Sequence, residues 1–194
     1  MYNNRFPVDI HLRRPGNGDR VNVKSLVHAW LLAYGLNANV DGDKLTFTFE
    51  GKRLSFIYSD TYLGDLPGVF CKRIYEELNV CGREVLDIGS TVGDSVIFFL
   101  LEGAEKVIAV EPFPAAFAQL EKNIALNGFE DQVVLLNAAI SDSNGNFTLD
   151  PTLLEVGSTP AHDSVNGLKV PKVTFEEVLS KLDGNNATVN EFSG

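Results

Sequence analysis

The sequence predicts an α/β fold with a parallel sheet in its second half, and three observations carry that prediction. From Arg83 onward, short apolar runs alternate with helical patterns, the grammar of βαβ units. The helical patterns run to about ten residues, long enough to cross between parallel strands. Glycine and proline punctuate the units where they turn: Gly89 after the first run, Pro114 at a helix start and Gly128 just past its end.

Before that region the chain reads as an N-terminal extension over residues 1–82. Residues 1–20 carry Pro7, Pro15, Gly16 and Gly18 without periodicity, so an irregular arm is expected. Val23, Leu26, Val27, Trp30, Leu31 and Tyr34 then share one face of a helix closed by Gly35. Leu45–Phe49 and Leu54–Tyr58 alternate around Glu50-Gly51-Lys52, which predicts a β-hairpin. Phe70, Ile74 and Leu78 predict a short lead-in helix after Pro67.

Residues 83–194 form the second expected unit. Val85–Ile88, Val107–Val110 and Val133–Leu136 are its strands; Asp94–Glu102 and Pro114–Asn127 are its helices. Right-handed crossovers place strand 107–110 beside strand 85–88. Asn146–Leu149 reads as a short added strand after the turn Asp142–Gly145. Thr174-Phe-Glu-Glu177 is a capping box opening a helix to about Leu182.

Composition narrows the function. A hydrophobic share of 44% supports a real core. The longest apolar run, Ser95–Leu101, is far short of the roughly 20 residues of a membrane span. The N-terminus lacks an apolar secretory segment. Cys71 and Cys81 show neither a disulfide framework nor metal-ligand spacing. A cytoplasmic, metal-free protein with no membrane partner is expected. The net charge of -10 works against nucleic acid, whose phosphates reward clustered Lys and Arg. His162 and the Gly157–Thr159 stretch read as ordinary loop, and His11 and His28 have weaker claims still to a chemical role.

The informative segment is Val85-Leu-Asp-Ile-Gly-Ser-Thr-Val-Gly-Asp94. Gly89 and Gly93 bracket a strand-to-helix turn through Ser90 and Thr91, and glycine lets a ligand approach the backbone closely. The following helix N-terminus offers N–H groups and a partial positive charge, and Asp94 reads as its cap. In open parallel sheets ligands sit beyond the carboxyl ends of the strands, where this turn lies. Glu111 ends the next strand, 22 residues after Gly89, in place to accept from two ribose hydroxyls. Phe113 follows and can pack on an adenine face.

A dinucleotide fingerprint needs a glycine where this chain has Thr91, so a pyrophosphate is poorly accommodated. Asp87 beside the turn favours an ammonium or sulfonium over a phosphate. A cationic amino-acid part, a ribose and an adenine together describe S-adenosylmethionine.

From Arg83 to Leu182 these residues resemble the FkbM-type methyltransferases. Val85–Ser95 is similar to that family's glycine-rich motif, with Thr91 where the family usually has Asn. Val110-Glu-Pro-Phe-Pro114 is similar to its Glu-Pro-x-Pro segment, and Leu120, Asn123 and Asn127-Gly128 to its following helix. Asn137–Asp142 with Gly145 resembles its third-strand loop, and Val173–Leu179 its next helix start. The resemblance implies a Rossmann-like fold and places Asn137 and Ala138 near the adenine. It also implies methyl transfer to an oxygen of a sugar or other small metabolite.

The family's fourth core strand carries an Asp-x-Glu-Gly pattern that is missing from Asp183–Gly194. The expectation is therefore a sheet lacking its C-terminal strands, a truncated domain with strand 85–88 open at its second edge. That edge would be a template for a second copy or a complementing chain. A non-catalytic cofactor-binding remnant, half of a split enzyme and an NAD-binding dehydrogenase are the competing readings. No residue is singled out as a catalytic base.

Overall fold

The structure is a computed structural model that describes residues 7–12, 19–57, 65–149, 167–182 and 187–191. The Gly157–Thr159 stretch, Tyr58 and His162 lie outside the described residues.

A parallel sheet organises the second half. Its strands are β6 (Glu84–Ile88), β7 (Lys106–Val110), β8 (Val133–Leu136) and β12 (Ala187–Glu191). They lie in the order β12-β6-β7-β8. Leu86 registers with Ile108, and Ile108 with Val134. Helix α2 (Asp94–Leu101) links β6 to β7, and α3 (Pro114–Asn127) links β7 to β8.

Strand β12 corrects the expectation of an open edge. Ala187–Glu191 pairs in parallel with Glu84–Ile88, so both edges of β6 are taken. Strand pairing is made by backbone groups, and a segment without the Asp-x-Glu-Gly letters makes it equally well. Among the described residues the outer strands of this sheet are β8 and β12.

The first half is more ordered than an arm, a helix and a hairpin. Strands β1 (Val8–Leu12) and β2 (Asp19–Val23) form an antiparallel pair within the stretch expected to be irregular. Helix α1 (Leu26–Ala33) begins after the Ser25 cap, so Val23 belongs to a strand rather than to the helix. The buried face of α1 is also rotated from the expected one. His28, Leu31 and Leu32 are buried while Leu26, Trp30 and Tyr34 are exposed. Trp30 instead stacks on Tyr34 and carries the Lys72 ammonium 5.0 Å above its ring.

The expected hairpin is present as β4 (Lys44–Phe49) and β5 (Lys52–Ile57), extended by β3 (Asn39–Asp41). The lead-in helix is one π-helical turn, Pro67–Cys71, which ends well before Leu78. Strands β9 (Ala139–Ser141), β10 (Gly145–Leu149) and β11 (Leu168–Thr174) make a small mixed sheet. Helix α4 (Phe175–Leu179) opens on the Thr174–Glu177 capping box, as the sequence predicts, and is shorter than expected.

One core unites the two halves. The inner face of β4 and β5 supplies Leu45, Phe47, Leu54 and Phe56, all nearly inaccessible to solvent. Phe70 packs edge-on against Phe47, Phe49 and Phe56, and also against Phe98 of α2. Arg73 lies over Phe49 and Phe98 and pairs with Glu50, Glu76 and Glu102.

Helix α3 closes the outer edge of β5 with amide side chains at four-residue spacing. The Asn127 amide donates to Ser55 O at 2.7 Å and accepts from Ser55 N at 3.0 Å. Asn123 Oδ1 accepts from Ile57 N at 2.7 Å, and Gln119 Nε2 donates to Ile57 O at 3.2 Å. Residues four apart share a helix face, so the three amides read alternate backbone groups of one strand.

Candidate functional site

The turn after β6 needs left-handed backbone at three positions. Gly89 (φ 80°) and Gly93 (φ 86°) adopt it freely, and Thr91 (φ 46°) adopts it at some steric cost. Three groups hold Thr91 there. Its amide donates to Glu111 Oε2 at 2.9 Å, its hydroxyl donates to Gly89 O at 3.0 Å, and Gly93 N closes the turn on Ser90 O at 2.7 Å. Gly93 also has no room for a side chain, since a Cβ there would lie 2.5 Å from Leu120 Cδ1.

Asp87 is buried in β6 between β7 and β12, with Ala109 and Asn190 as its register partners. Its Oδ2 accepts from the Ser95 hydroxyl at 2.6 Å, and its carbonyl accepts from the Ser90 hydroxyl at 2.8 Å. Glu111 stands at the end of β7, only 3% exposed. Its two carboxylate oxygens accept from Thr91 N and from Phe113 N at 2.9 and 2.8 Å. Burial nonetheless pushes its carboxyl up to about 7, helped by the charge of Asp87.

Asp94 is the first helical residue of α2; Gly93 occupies the cap position. The Asp94 carboxylate instead accepts from the Asp65 backbone N–H at 2.7 Å. Burial pushes Asp94 to about 7 despite that bond and others from its own helix start. Asn137 donates to Glu111 O at 2.8 Å and Pro112 O at 3.2 Å, which fixes the loop carrying Phe113. Phe113 is half-buried at the start of α3, and Ala138 is buried.

The structure thus gathers Asp87, Gly89, Ser90, Thr91, Gly93 and Glu111 around one turn, with Phe113, Asn137 and Ala138 on the adjoining loops. Four N–H groups of the turn itself are already bonded within the protein. The amides of Gly89 and Ser90 both donate to Val110 O, that of Thr91 to Glu111 and that of Gly93 to Ser90 O. Those four donors are spent within the protein, and the carboxylates of Asp87 and Glu111 are buried beside them. A carboxylate has about four acceptor positions, so the Glu111 oxygens can still receive a pair of hydroxyls after taking two amides. The two carboxylates, as acceptors, fit a cationic, hydroxylated ligand and disfavour a phosphate. Burial pushes the Cys71 thiol up to about 11, far from nucleophilic range.

Asn123 was visible only as a motif letter, yet its buried amide donates to Val92 O at 2.8 Å inside the turn. Its partners are remote in sequence, so no local spacing marks it as part of the site.

The sequence profile described as the methyltransferase FkbM domain matches residues 87–189. The chain belongs to the FkbM methyltransferase family. Its parallel sheet with helical crossovers is the Rossmann-like arrangement, and the cofactor of this enzyme class is S-adenosylmethionine. No curated protein matches the chain. Among solved structures it is similar to Trm5 of Methanocaldococcus jannaschii in complex with adenosine: 25% identity, TM-score 0.38, 51% of this chain and 31% of that one. It is also similar to Trm5b of Pyrococcus abyssi, at 21% identity and TM-score 0.38, over 69% of this chain and 37% of that one. A SAM-dependent methyltransferase from Agrobacterium tumefaciens shares 16% identity at TM-score 0.36, over 66% and 39% of the two chains. The chain therefore spans about a third of the length of these relatives.

Proposed function

We propose that the chain binds S-adenosylmethionine at the Gly89–Gly93 turn and serves methyl transfer to an oxygen of a small hydroxylated metabolite. The observation that carries the cofactor reading is the pair of buried carboxylates, Asp87 and Glu111, beside the Gly89–Gly93 turn. Asp87 attracts the cationic amino-acid end, and the Gly89–Gly93 backbone sets its distance. Glu111 takes the ribose hydroxyls in its remaining acceptor positions. Phe113, Asn137 and Ala138 bound the adenine.

The bound cofactor supplies a methyl group activated by its sulfonium charge. The chain's part is to orient that group and keep it from water, and alignment of two reactants is worth up to about 7–11 kcal/mol. No side chain is assigned as a base. The choice of a sugar-like acceptor follows from the family resemblance, and the strongly acidic chain favours it over an RNA.

Calorimetry with S-adenosylmethionine, S-adenosylhomocysteine and NAD tests the cofactor. Binding of the first two, lost in Glu111→Ala, supports the reading; binding of NAD alone defeats it. Methyl transfer assayed against pooled sugars, phenols and tRNA then tests the acceptor. Transfer to tRNA alone overturns the small-metabolite assignment. Binding without transfer to any of the three favours a non-catalytic cofactor binder.

A further inference from the structure

Three polar side chains of α3 dock the β3-β4-β5 sheet, and one of them, Asn123, also bonds to the cofactor turn. It is fully buried, and its two amide ends face different parts of the molecule. Oδ1 accepts from Ile57 N of β5 at 2.7 Å, and Nδ2 donates to Val92 O at 2.8 Å. The two bonds are not independent. An amide flipped by half a turn would set its NH2 against the Ile57 N–H and its oxygen against the Val92 carbonyl, two repulsive contacts in a buried site. The strand therefore selects the amide orientation that holds the turn.

The same stretch of α3 presses on the turn sterically, because Leu120 and Ile124 fill the space where a Gly93 side chain would stand. The Val92 carbonyl lies between Thr91 and Gly93, both of which have left-handed backbone. A carbonyl in that position, once released, frees the peptide on either side to rotate.

We propose that Asn123 is a positioning residue that makes the shape of the cofactor turn depend on the docked N-terminal sheet. It touches no ligand in this scheme. It acts through Val92, and strand β5 acts through it. The inference rests on the cofactor reading above.

The experiment compares wild type, Asn123→Ala, Asn127→Ala and Ile57→Pro by calorimetry with S-adenosylhomocysteine, at a temperature where circular dichroism shows each folded. Asn127 binds the same strand from the same helix without touching the turn, so it reports loss of docking alone. Proline at position 57 deletes the outward N–H of an edge strand, where proline is tolerated. Asn123→Ala is expected to weaken binding about tenfold, the scale of one net hydrogen bond, while Asn127→Ala stays within about twofold at a similar fall in Tm. Ile57→Pro is expected to weaken binding severalfold from outside the site. Equal weakening in Asn123→Ala and Asn127→Ala, or none in Asn123→Ala, overturns the proposal.

Hydrogen exchange of the Thr91 and Gly93 amides gives a readout that needs no ligand. Exchange should quicken in the Asn123 variant and not in the Asn127 one; Asn123→Ser replaces Asn123→Ala if the latter fails to fold. This exchange pattern across the variants, with a wild type that binds no adenosyl ligand, defeats the cofactor reading and leaves the positioning role standing. Binding with identical exchange in all variants defeats the positioning role.

Discussion

The Asp94 carboxylate accepts the backbone N–H of Asp65 at 2.7 Å, which ties the first turn of α2 to the chain leading out of the N-terminal sheet. Asp65 in turn accepts from Gly68 N through Oδ1 at 2.9 Å. The buried acid is held by geometry at a cost in ionisation, since its carboxyl sits near 7.

Asp94→Ala leaves the Asp65 N–H without its acceptor and should cost about 1–3 kcal/mol by urea denaturation. Asp94→Asn keeps an acceptor there and should cost less. It should also change the pH dependence. The folded protein holds a proton on Asp94 that the unfolded chain releases from about 3.8, so wild-type stability falls as pH rises from there to about 7. Asp94→Asn should flatten that fall.

Glu111 has the same sign, with its carboxyl pushed from 4.5 to about 7. Ribose hydroxyls that donate to Glu111 prefer its ionised form, so S-adenosylhomocysteine affinity should rise between pH 5.5 and pH 7.5, values on either side of the lifted carboxyl of about 7. In Glu111→Gln the affinity should fall at least tenfold, about 1.4 kcal/mol, and lose most of its pH dependence. Calorimetry at several pH values checks both.

His28 should act in the opposite direction. Lys24 N donates to its Nδ1, so the ring is neutral with Nε2 donating to Ala38 O. Burial holds its pKa below 6.5, and the unfolded chain takes up a proton sooner as pH falls. Stability should drop below pH 6.5 for this reason, and His28→Gln should remove that drop in thermal denaturation.

Phe98 tests whether the shared core is energetically real. It is buried and meets Phe49, Phe70, Tyr75 and Phe99. Phe98→Ala should cost about 3–5 kcal/mol and lower one cooperative transition. Two separated transitions in the wild type would show that the halves melt independently.

Much of the central sheet was legible because its strands are continuous apolar runs, as buried parallel strands must be. Asp87 and Glu111 stood out as candidates because they close apolar runs at a glycine-rich turn, and the structure buries both. The small mixed sheet was harder to see. Pro171 argues against a strand, yet β11 accommodates it because pairing with β9 begins only at Lys172. Strand β12 was hidden by the letters Asn190 and Glu191, which do not read as apolar. The rotated face of α1 turned on His28, a polar residue that becomes core once both ring nitrogens are bonded. Asn123 stayed hidden because its meaning lies in partners 66 and 31 residues away.

The amide ladder of Gln119, Asn123 and Asn127 has a consequence for the handling of the protein as well as for its site. An edge strand with bare N–H and C=O groups recruits other strands, and β5 would be such an edge. The helix occupies those groups with side chains, which cannot propagate a sheet. Loosening of α3 would therefore expose an adhesive strand along with a slackened turn, and loss of ligand affinity and onset of aggregation should share one cause.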